Sequence, residues 1–310
     1  MNRACLALFL SLGCTSKAAD SGSSSWTGEG FDSGTPAQSV RVATFNLEWL
    51  TADPTEGDMR RNEVDHAMIV DLIESFDPDL ITLQEVEGDA ALAHLPFGNH
   101  WSWAVGDTGW SQNVVVLWRS DRVSVTNIRE ITLPNTDGAE KEPHVVEVSA
   151  SGLDFTFVGV HHAAFTDADS SRNRLDQATE LVDWLADTLP DTVSGTAADH
   201  IVVAGDFNDT LDALNDGYPS LDAFTDAGFT FATEAASEGT HVDYDSVIDH
   251  IVLSAAMASR WNEAEGCHVV PHDRTSPWSD YEGGYRNTQN ISDHRPVWVD
   301  LVVNDTEPAR

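Results

Sequence analysis

Lysine is almost missing from this chain: of 310 residues only Lys17 and Lys141 are lysines. With 16 Lys+Arg against 52 Asp+Glu, the formal net charge is −36. A surplus of that size exceeds what any catalytic site uses, so most of it belongs on a solvated surface. Such a surface repels polyanions at low ionic strength and argues against a tight, nonspecific grip on a phosphate backbone. Two origins stay open: a salt-rich habitat, where acidic surfaces remain hydrated, or a need to stand apart from an anionic envelope. Acidity does not exclude a phosphate substrate, because a bound divalent cation can be the dominant local charge.

Cysteine is nearly as scarce, with Cys5, Cys14 and Cys267 alone. No run of about 18 apolar residues is present, which excludes an ordinary membrane-spanning helix. No G-x-G-x-x-G or Walker-type sequence occurs either, so no glycine-rich phosphate loop is expected. What the N-terminus does have is a leader. Residues 1–14, MNRACLALFLSLGC, place Arg3 before an apolar stretch over 6–12 and end in Gly13-Cys14. This pattern resembles a bacterial lipoprotein signal, in which Cys14 becomes the lipidated first residue; ordinary cleavage near Ser16-Lys17-Ala18 is the alternative. Residues 15–39, rich in Ser, Gly and Thr, read as a flexible tether. Export would leave Cys267 as the one free thiol, so no internal disulfide is expected. The expected location is a cell-envelope lipoprotein or a secreted protein, monomeric and without a transmembrane helix.

From residue 40 onward, apolar strand-like runs alternate with helical patterns. Strands are expected over 40–47, 80–83, 114–118, 155–160, 200–204, 247–253 and 297–303. Residues 60–76 place Val64, Met68, Leu72 and Phe76 at i, i+4 spacing, a helix stopped by Asp77-Pro78. A second helix over 170–189 carries Leu175, Ala178, Leu181, Val182 and Leu185 and is closed by Pro190. Several strands are continuously apolar, as expected for sheets covered on both faces. The order suits an α/β sandwich better than an open parallel sheet.

The informative pattern lies at the strand ends. Asn46 and Glu48 close the first strand, Glu85 the second, His161-His162 another, and Asp206 with Asn208 a fourth. Asp249-His250 interrupts the run 247–253, and Asp293-His294 precedes the last strand. Singly, such residues are solvated termini or packed histidines. Together they make a set of oxygen and imidazole donors without thiolate, suited to magnesium, with manganese or calcium as alternatives, rather than zinc. Successive residues of an extended strand point to opposite faces, so Asp293 and His294 cannot both aim at one spot if the backbone is extended. Asp249 is then the better partner for His294. By the same rule only one of His161 and His162 faces a site; periodicity cannot choose, because both faces of 155–160 are apolar.

Taken in order, TFNLEWL (44–50), LQEV (83–86), VGVHHA (158–163), GDFN (205–208), SVIDHIVLS (246–254) and SDHRP (292–296) resemble the motifs of the endonuclease/exonuclease/phosphatase superfamily, which includes deoxyribonuclease I-like enzymes. The resemblance spans 40–303, with a catalytic domain drawn at 40–304 and a tail at 305–310. It implies an α/β four-layer sandwich, two packed mixed β-sheets flanked by α-helices, with the site at one edge between the sheets. It implies Glu85 as main metal ligand, helped by Asn46, Glu48 and Asp293. Asp206 and Asn208 would orient the attacking water and bind phosphate, His161 would be the strand histidine, and Asp249 would orient His294. Two departures stand out. No secure acid matches the partner of the strand histidine, Asp107 being the candidate, and basic residues are few, with Arg119, Arg172 and Arg174 as candidate phosphate contacts.

The expected activity is a divalent-metal-dependent phosphodiesterase, an endonuclease on DNA or RNA. A phospholipid (sphingomyelinase-like) or inositol-phosphate enzyme is the alternative, hinted at by Trp101, Trp103 and Trp110. A lipid-anchored, inactive binding module is the third reading, disfavoured by the intact carboxylate and histidine set.

Overall fold

A computed structural model describes residues 39–303, except 56–58, 135–140, 212–217, 245 and 282–289. The expected leader with Cys14, the expected tether up to residue 38 and the expected tail 305–310 lie outside the described residues.

Twelve strands follow the chain: β1 Ser39–Leu50, β2 Leu80–Val86, β3 Trp101–Val105, β4 Asn113–Arg119, β5 Ser124–Glu130, β6 His144–Ala150, β7 Leu153–His161, β8 Ile201–Asp206, β9 Thr230–Phe231, β10 Asp249–Leu253, β11 His268–Val269 and β12 Val297–Val302. They form two six-stranded sheets, ordered β11-β12-β1-β2-β4-β3 and β5-β6-β7-β8-β10-β9. Each is mixed and is built around a parallel pair, β1/β2 in one and β7/β8 in the other, with antiparallel strands outside. The four layers expected from the resemblance are present. Val42, Leu80, Val116, Phe155, Phe157, Val202, Ile251 and Val299 fill the space between the sheets. Ala43, Phe45, Ile81 and Leu83 pack outward against Ile69, Leu72 and Ile73 of the helix Glu63–Ser75. Val158, Val160, Val203 and Phe207 pack against Ala178, Leu181 and Leu185 of the helix Ala168–Asp187.

Both long helices start on caps. Asn62 accepts from the Val64 and Asp65 amides while Asp65 returns a bond to the Asn62 amide, a reciprocal arrangement that satisfies otherwise orphaned donors. Asp167 caps the second helix in the same way through the Asp169 and Ser170 amides. Two expectations are corrected. The first helix buries the row through His66, Ile69, Val70 and Ile73, and Val64, expected on the inner face, is exposed. Of the i, i+4 row chosen from sequence, Leu72 and the following Phe76 are buried and Met68 is partly buried against the same cluster. Pro190 does not simply close the second helix; it sits in the first turn of a separate short helix, Leu189–Thr192, where its missing N–H costs nothing.

Strand parity positions the site. Along β1, Val40 and Val42 face the opposite sheet, followed on the same side by Thr44 and Asn46, while Ala43, Phe45 and Leu47 face the helix. In β7 the inter-sheet residues are Phe155, Phe157, Gly159 and His161; in β8 they are Val202, Ala204 and Asp206; in β10 they are Leu253, Ile251 and Asp249. Each inter-sheet row therefore starts apolar and ends polar at the same edge. At Gly159 the sheets come so close that a Cβ would lie 2.5 Å from Thr82 Oγ1. Among the described residues no helix is long and apolar enough to cross a membrane, and Cys267 is a free thiol that burial pushes up to about 12.

Candidate active site

Asp206, at the end of β8, is the hub. Its Oδ2 accepts from Asn46 Nδ2 (3.0 Å) and Asn208 Nδ2 (3.1 Å), and its Oδ1 from the Asn208 amide (2.8 Å). The same Oδ2 lies 3.7 Å from His161 Nε2 and 3.9 Å from His294 Nε2. Two imidazoles thus flank one buried carboxylate, brought from β7 and from the segment before β12. Gly205 is required one residue earlier, because a Cβ there would collide with the Val160 carbonyl, and Phe207 packs outward among Phe224, Phe231 and His250.

Parity leaves His161 on the inner row and His162 on the outer one. His162 packs edge-on against Phe207 at 4.9 Å, and burial holds it at about 3; it is a core histidine. His161 is buried against Glu85 Oε1 (3.8 Å) and Lys141 Nζ (3.4 Å). Burial, reinforced by the Lys141 charge, keeps it well below its ordinary value and so neutral. No carboxylate among the described residues bonds its Nδ1. Asp107, the candidate for that role, is exposed, with its amide bound to Glu130.

His294 has the opposite electrostatics. Its Nδ1 is 2.9 Å from Asp249 Oδ2, the pairing reasoned from strand geometry. Burial opposes its charge, but Asp249, Asp206 and Asp293 outweigh it and raise the imidazole well above its ordinary value. Asp249 stands directly opposite Asp206 in the β8/β10 pair. Burial first, then the Asp249 charge, raise Asp206 above the usual carboxylate range. One part of the geometric expectation fails. Asp293 Oδ1 lies 3.8 Å from His294 Nε2, so both neighbours do approach one region. The reason is that the backbone bends at Asp293 instead of running on as extended strand.

The metal-side residues are aimed by bulges. β1 and β2 lose register between Asn46 and Leu50, and β2 and β4 between Leu83 and Val86. In these bulges Glu48, Trp49 and Glu85 take left-handed backbone, φ 44°, 58° and 60°. Parity alone would send Glu85 outward with Ile81 and Leu83; the left-handed residue turns it into the site, where Asn46 Nδ2 is 3.3 Å and the Trp49 amide 3.2 Å from its carboxylate. Glu48 is diverted: its Oε2 accepts from the Asp293 amide (3.1 Å). Asn46 turns its oxygen to the Glu48 amide (2.9 Å) and its nitrogen to Glu85 and Asp206.

The expected ligands Asn46, Glu48, Glu85 and Asp293 therefore meet as two adjacent pairs, Asn46–Glu85 and Glu48–Asp293. Among the described residues, the His/Cys/Asp/Glu triads within reach of one ion are Asp206–Asp249–His294 and His241–Asp293–His294. The donor chemistry nonetheless suits a divalent cation. Several carboxylates crowd one buried edge, Asp249 Oδ1 has no hydrogen-bond partner, and Glu85 and Asp206 share a single side-chain amide donor, Asn46 Nδ2.

Arg61, Lys141 and His241 were missed in the sequence. Arg61 is buried and donates to the Leu47 (2.6 Å), Glu48 (3.0 Å), Trp49 (3.1 Å), Asn290 (2.8 Å) and Ile291 (3.2 Å) carbonyls, clamping the β1 bulge to the segment before Ser292. Burial lowers it to about 10, still cationic at neutrality. Lys141 had a signal, its survival in a lysine-depleted chain. His241 had none: its ring lies 5.0 Å from that of His294, and Arg295, bonded to Asp273 and the Gly239 carbonyl, fixes its loop. Of the arginines expected at phosphate, Arg119 is paired with Asp77 and Asp121. Arg172 binds Tyr218 and Asp169, and buried Arg174 holds the Ala163 and Phe165 carbonyls. The tryptophan group also divides: Trp101 is core, Trp103 bonds Asp89, and only Trp110 projects fully into solvent.

Residues 43–294 match the model of the Endonuclease/Exonuclease/phosphatase family. Nothing among curated proteins matches the chain. Similar solved structures include the mannosyl-6-phosphatase of Bacteroides thetaiotaomicron (18% identity, 85% of this chain and 99% of that one, TM-score 0.59). The 3'-5' exonuclease of Neisseria meningitidis is similar at 18% identity, 85% and 100% coverage and TM-score 0.56. So is D. rerio TDP2 complexed with single strand DNA product, at 16% identity, 84% and 98% coverage and TM-score 0.58. At these identities the likeness concerns the fold.

Proposed function

Because the chain belongs to the Endonuclease/Exonuclease/phosphatase family, we propose that it is an exported, divalent-metal-dependent phosphodiesterase that hydrolyses nucleic acid. The observation that carries this reading is Asp206, flanked by His161 at 3.7 Å and His294 at 3.9 Å, beside the Glu85 carboxylate. Neighbours named as an exonuclease and as a DNA-product complex share this fold, as does a mannosyl-6-phosphatase, and the choice of nucleic acid among phosphate esters is part of the proposal. The leader sequence supports export; loss of palmitate labelling in Cys14→Ala tests the anchor.

In-line hydrolysis needs a positioned water, charge neutralisation at the phosphoryl oxygens and a proton for the leaving oxygen. A cation held by the Glu85 carboxylate, with the Asn46 side chain turned to present its amide oxygen, would supply Lewis-acid neutralisation. Asp206, its basicity raised by burial and Asp249, takes the proton of the attacking water, and Asn208 fixes its orientation. As the water oxygen bonds phosphorus and the P–O ester bond breaks, His294 holds a non-bridging oxygen through its Nε2–H. Asp249 keeps that imidazole charged. The leaving oxygen takes its proton on the opposite flank, where the Lys141 ammonium leans on neutral His161. This assigns leaving-group protonation to Lys141, with His161 as its acceptor, in place of the direct donor role expected for His161.

The test is turnover of a single-stranded oligonucleotide with magnesium or manganese, before and after chelation. Activity should vanish with chelator, return with metal, and drop by about 10² to 10⁴ in Asp206→Asn. Turnover that survives chelation, or that Asp206→Asn leaves within threefold of wild type, would rule the reading out.

A further inference from the structure

Four of the exposed large apolar side chains are aromatic and border the catalytic edge: Trp110 (82% exposed), Phe165 (80%), Tyr244 (77%) and Trp49 (41%). Each is tied to a site element. Trp49 donates its amide to Glu85. Trp110 is fixed by Asn113, which bonds its carbonyl and lies opposite Val86 at the end of β2. Phe165 follows β7 by four residues, with its carbonyl held by Arg174. The Tyr244 ring lies 4.6 Å from His241, whose ring in turn lies 5.0 Å from His294. Relative to Asp206, Tyr244 stands on the His294 flank and Phe165 on the His161 flank.

Their backbones carry a second signal. Trp49, Trp110 and Phe165 all adopt left-handed backbone, φ 58°, 58° and 75°. Bulky residues avoid this region, and such strain concentrates at functional sites. A loop that merely had to turn would be served better by glycine or asparagine, so strained aromatics held out in water point to a ligand. The third observation is charge. The net charge is −36, and among the described residues Arg119, Arg172 and Arg174, the arginines expected at phosphate, are bonded to protein groups and lay no cationic track for a phosphate backbone. Affinity for a strand must then come from its bases.

We propose that Trp49, Trp110, Phe165 and Tyr244 form a stacking rim that seats nucleobases on both sides of the scissile phosphate, making the enzyme selective for single-stranded nucleic acid. This rests on the phosphodiesterase reading above and adds the form of the substrate. Unpaired bases expose their faces, and stacking on aromatic rings is sequence-tolerant; a duplex hides those faces. Because stacking is not ionic, the affinity does not fall as salt rises. Screening of the acidic surface, over about 10 Å at 0.1 M and about 3 Å at 1 M salt, even favours binding.

The experiment compares wild type with Trp110→Ala, Phe165→Ala, Tyr244→Ala and the triple variant. The rings are largely in water, so truncation leaves the fold intact. Substrates are a single-stranded 12-mer, its duplex, and the same backbone with tetrahydrofuran in place of bases. Binding of the 12-mer is followed separately by quenching of tryptophan fluorescence with metal withheld. Expected are a preference for single strand over duplex and a flat or falling KM between 0.1 and 1 M salt. Each substitution should lower the base-bearing to abasic ratio of kcat/KM by about tenfold, with parallel loss of binding. The proposal is overturned if the triple variant keeps that ratio and affinity within twofold, or if KM rises more than tenfold with salt. It is also overturned if the rim variants lose only binding to phosphatidylcholine vesicles, which would make the rim a membrane contact. If wild type cleaves neither strand, the phosphodiesterase reading fails, while the quenching measurement still decides whether the rim binds bases.

Discussion

Asp249→Asn separates chemistry from stability. In wild type, Asp249 and Asp206 face each other across β8/β10 with oxygens within 4.8 Å. When both are ionised, an effective dielectric of about 20 makes that repulsion about 3.5 kcal/mol. Against it stands the 2.9 Å bond to charged His294, a charge-assisted contact of about 1.5–3 kcal/mol. Removing the charge while keeping an acceptor oxygen therefore loses and gains similar amounts. Stability should change by no more than about 2 kcal/mol, or about 4–8 °C in Tm. Activity should not be spared, because an amide cannot hold an imidazolium: kcat should fall by about 10² to 10⁴. The pH dependence carries a sign. His294 is raised by its carboxylate neighbours, so its charge is complete on the acid side and is lost as pH climbs through the raised value. Asp249→Asn moves that alkaline limb to lower pH, for residual activity and for His294's contribution to stability alike. Thermal melts and pH–rate profiles on oligonucleotide read both. Activity within threefold of wild type, a Tm lowered by more than about 10 °C, or an alkaline limb that stays in place would refute this account.

Other perturbations follow from the same geometry. Glu85→Gln keeps the hydrogen bonds to Asn46 and Trp49 within reach, so the melt should be near wild type while the metal needed for half-maximal activity rises at least about tenfold. Arg61→Ala strips one donor group from five backbone carbonyls; a loss of about 3 kcal/mol or more, about 6–12 °C in Tm, should appear, with partial recovery in Arg61→Lys. Lys141→Met should lower kcat by about 10² on substrates with a poor leaving group and much less on a nitrophenyl ester, whose leaving oxygen needs no proton. Equal losses on both would deny Lys141 the proton-donor role.

What was legible in the sequence is what strand parity controls. Asn46, His161, Asp206 and Asp249 each continue an inter-sheet row of apolar residues, and the strands that carry them were visible as apolar runs. The alternation could not decide between His161 and His162, since both faces of β7 are covered; the deciding fact is which face meets the second sheet, a tertiary property. The edge strands β3 and β5 escaped because they run at the sheet margins with polar, half-exposed faces. Glu85 and Glu48 are the opposite case. Parity misdirects them, and only the left-handed bulge residues, which no apolar pattern encodes, show where they point. Asp293 was misjudged through the assumption of an extended backbone. Arg61 carried no signal in the sequence, and nothing local says that its partners lie 229 and 230 residues away.

That separation has a further meaning. Ser292 bonds the Asn46 carbonyl across 246 residues, and Arg61 ties the same region to the chain's last motif. The two halves of the catalytic edge come from opposite ends of the polypeptide, so closing it is among the most non-local and slowest events of folding. A chain still emerging from the ribosome, or one cut short before residue 294, has Asp206 and His161 but neither His294 nor the clamp. Under the phosphodiesterase reading proposed above, this amounts to a built-in delay, with hydrolytic competence arriving only after synthesis of the domain is complete.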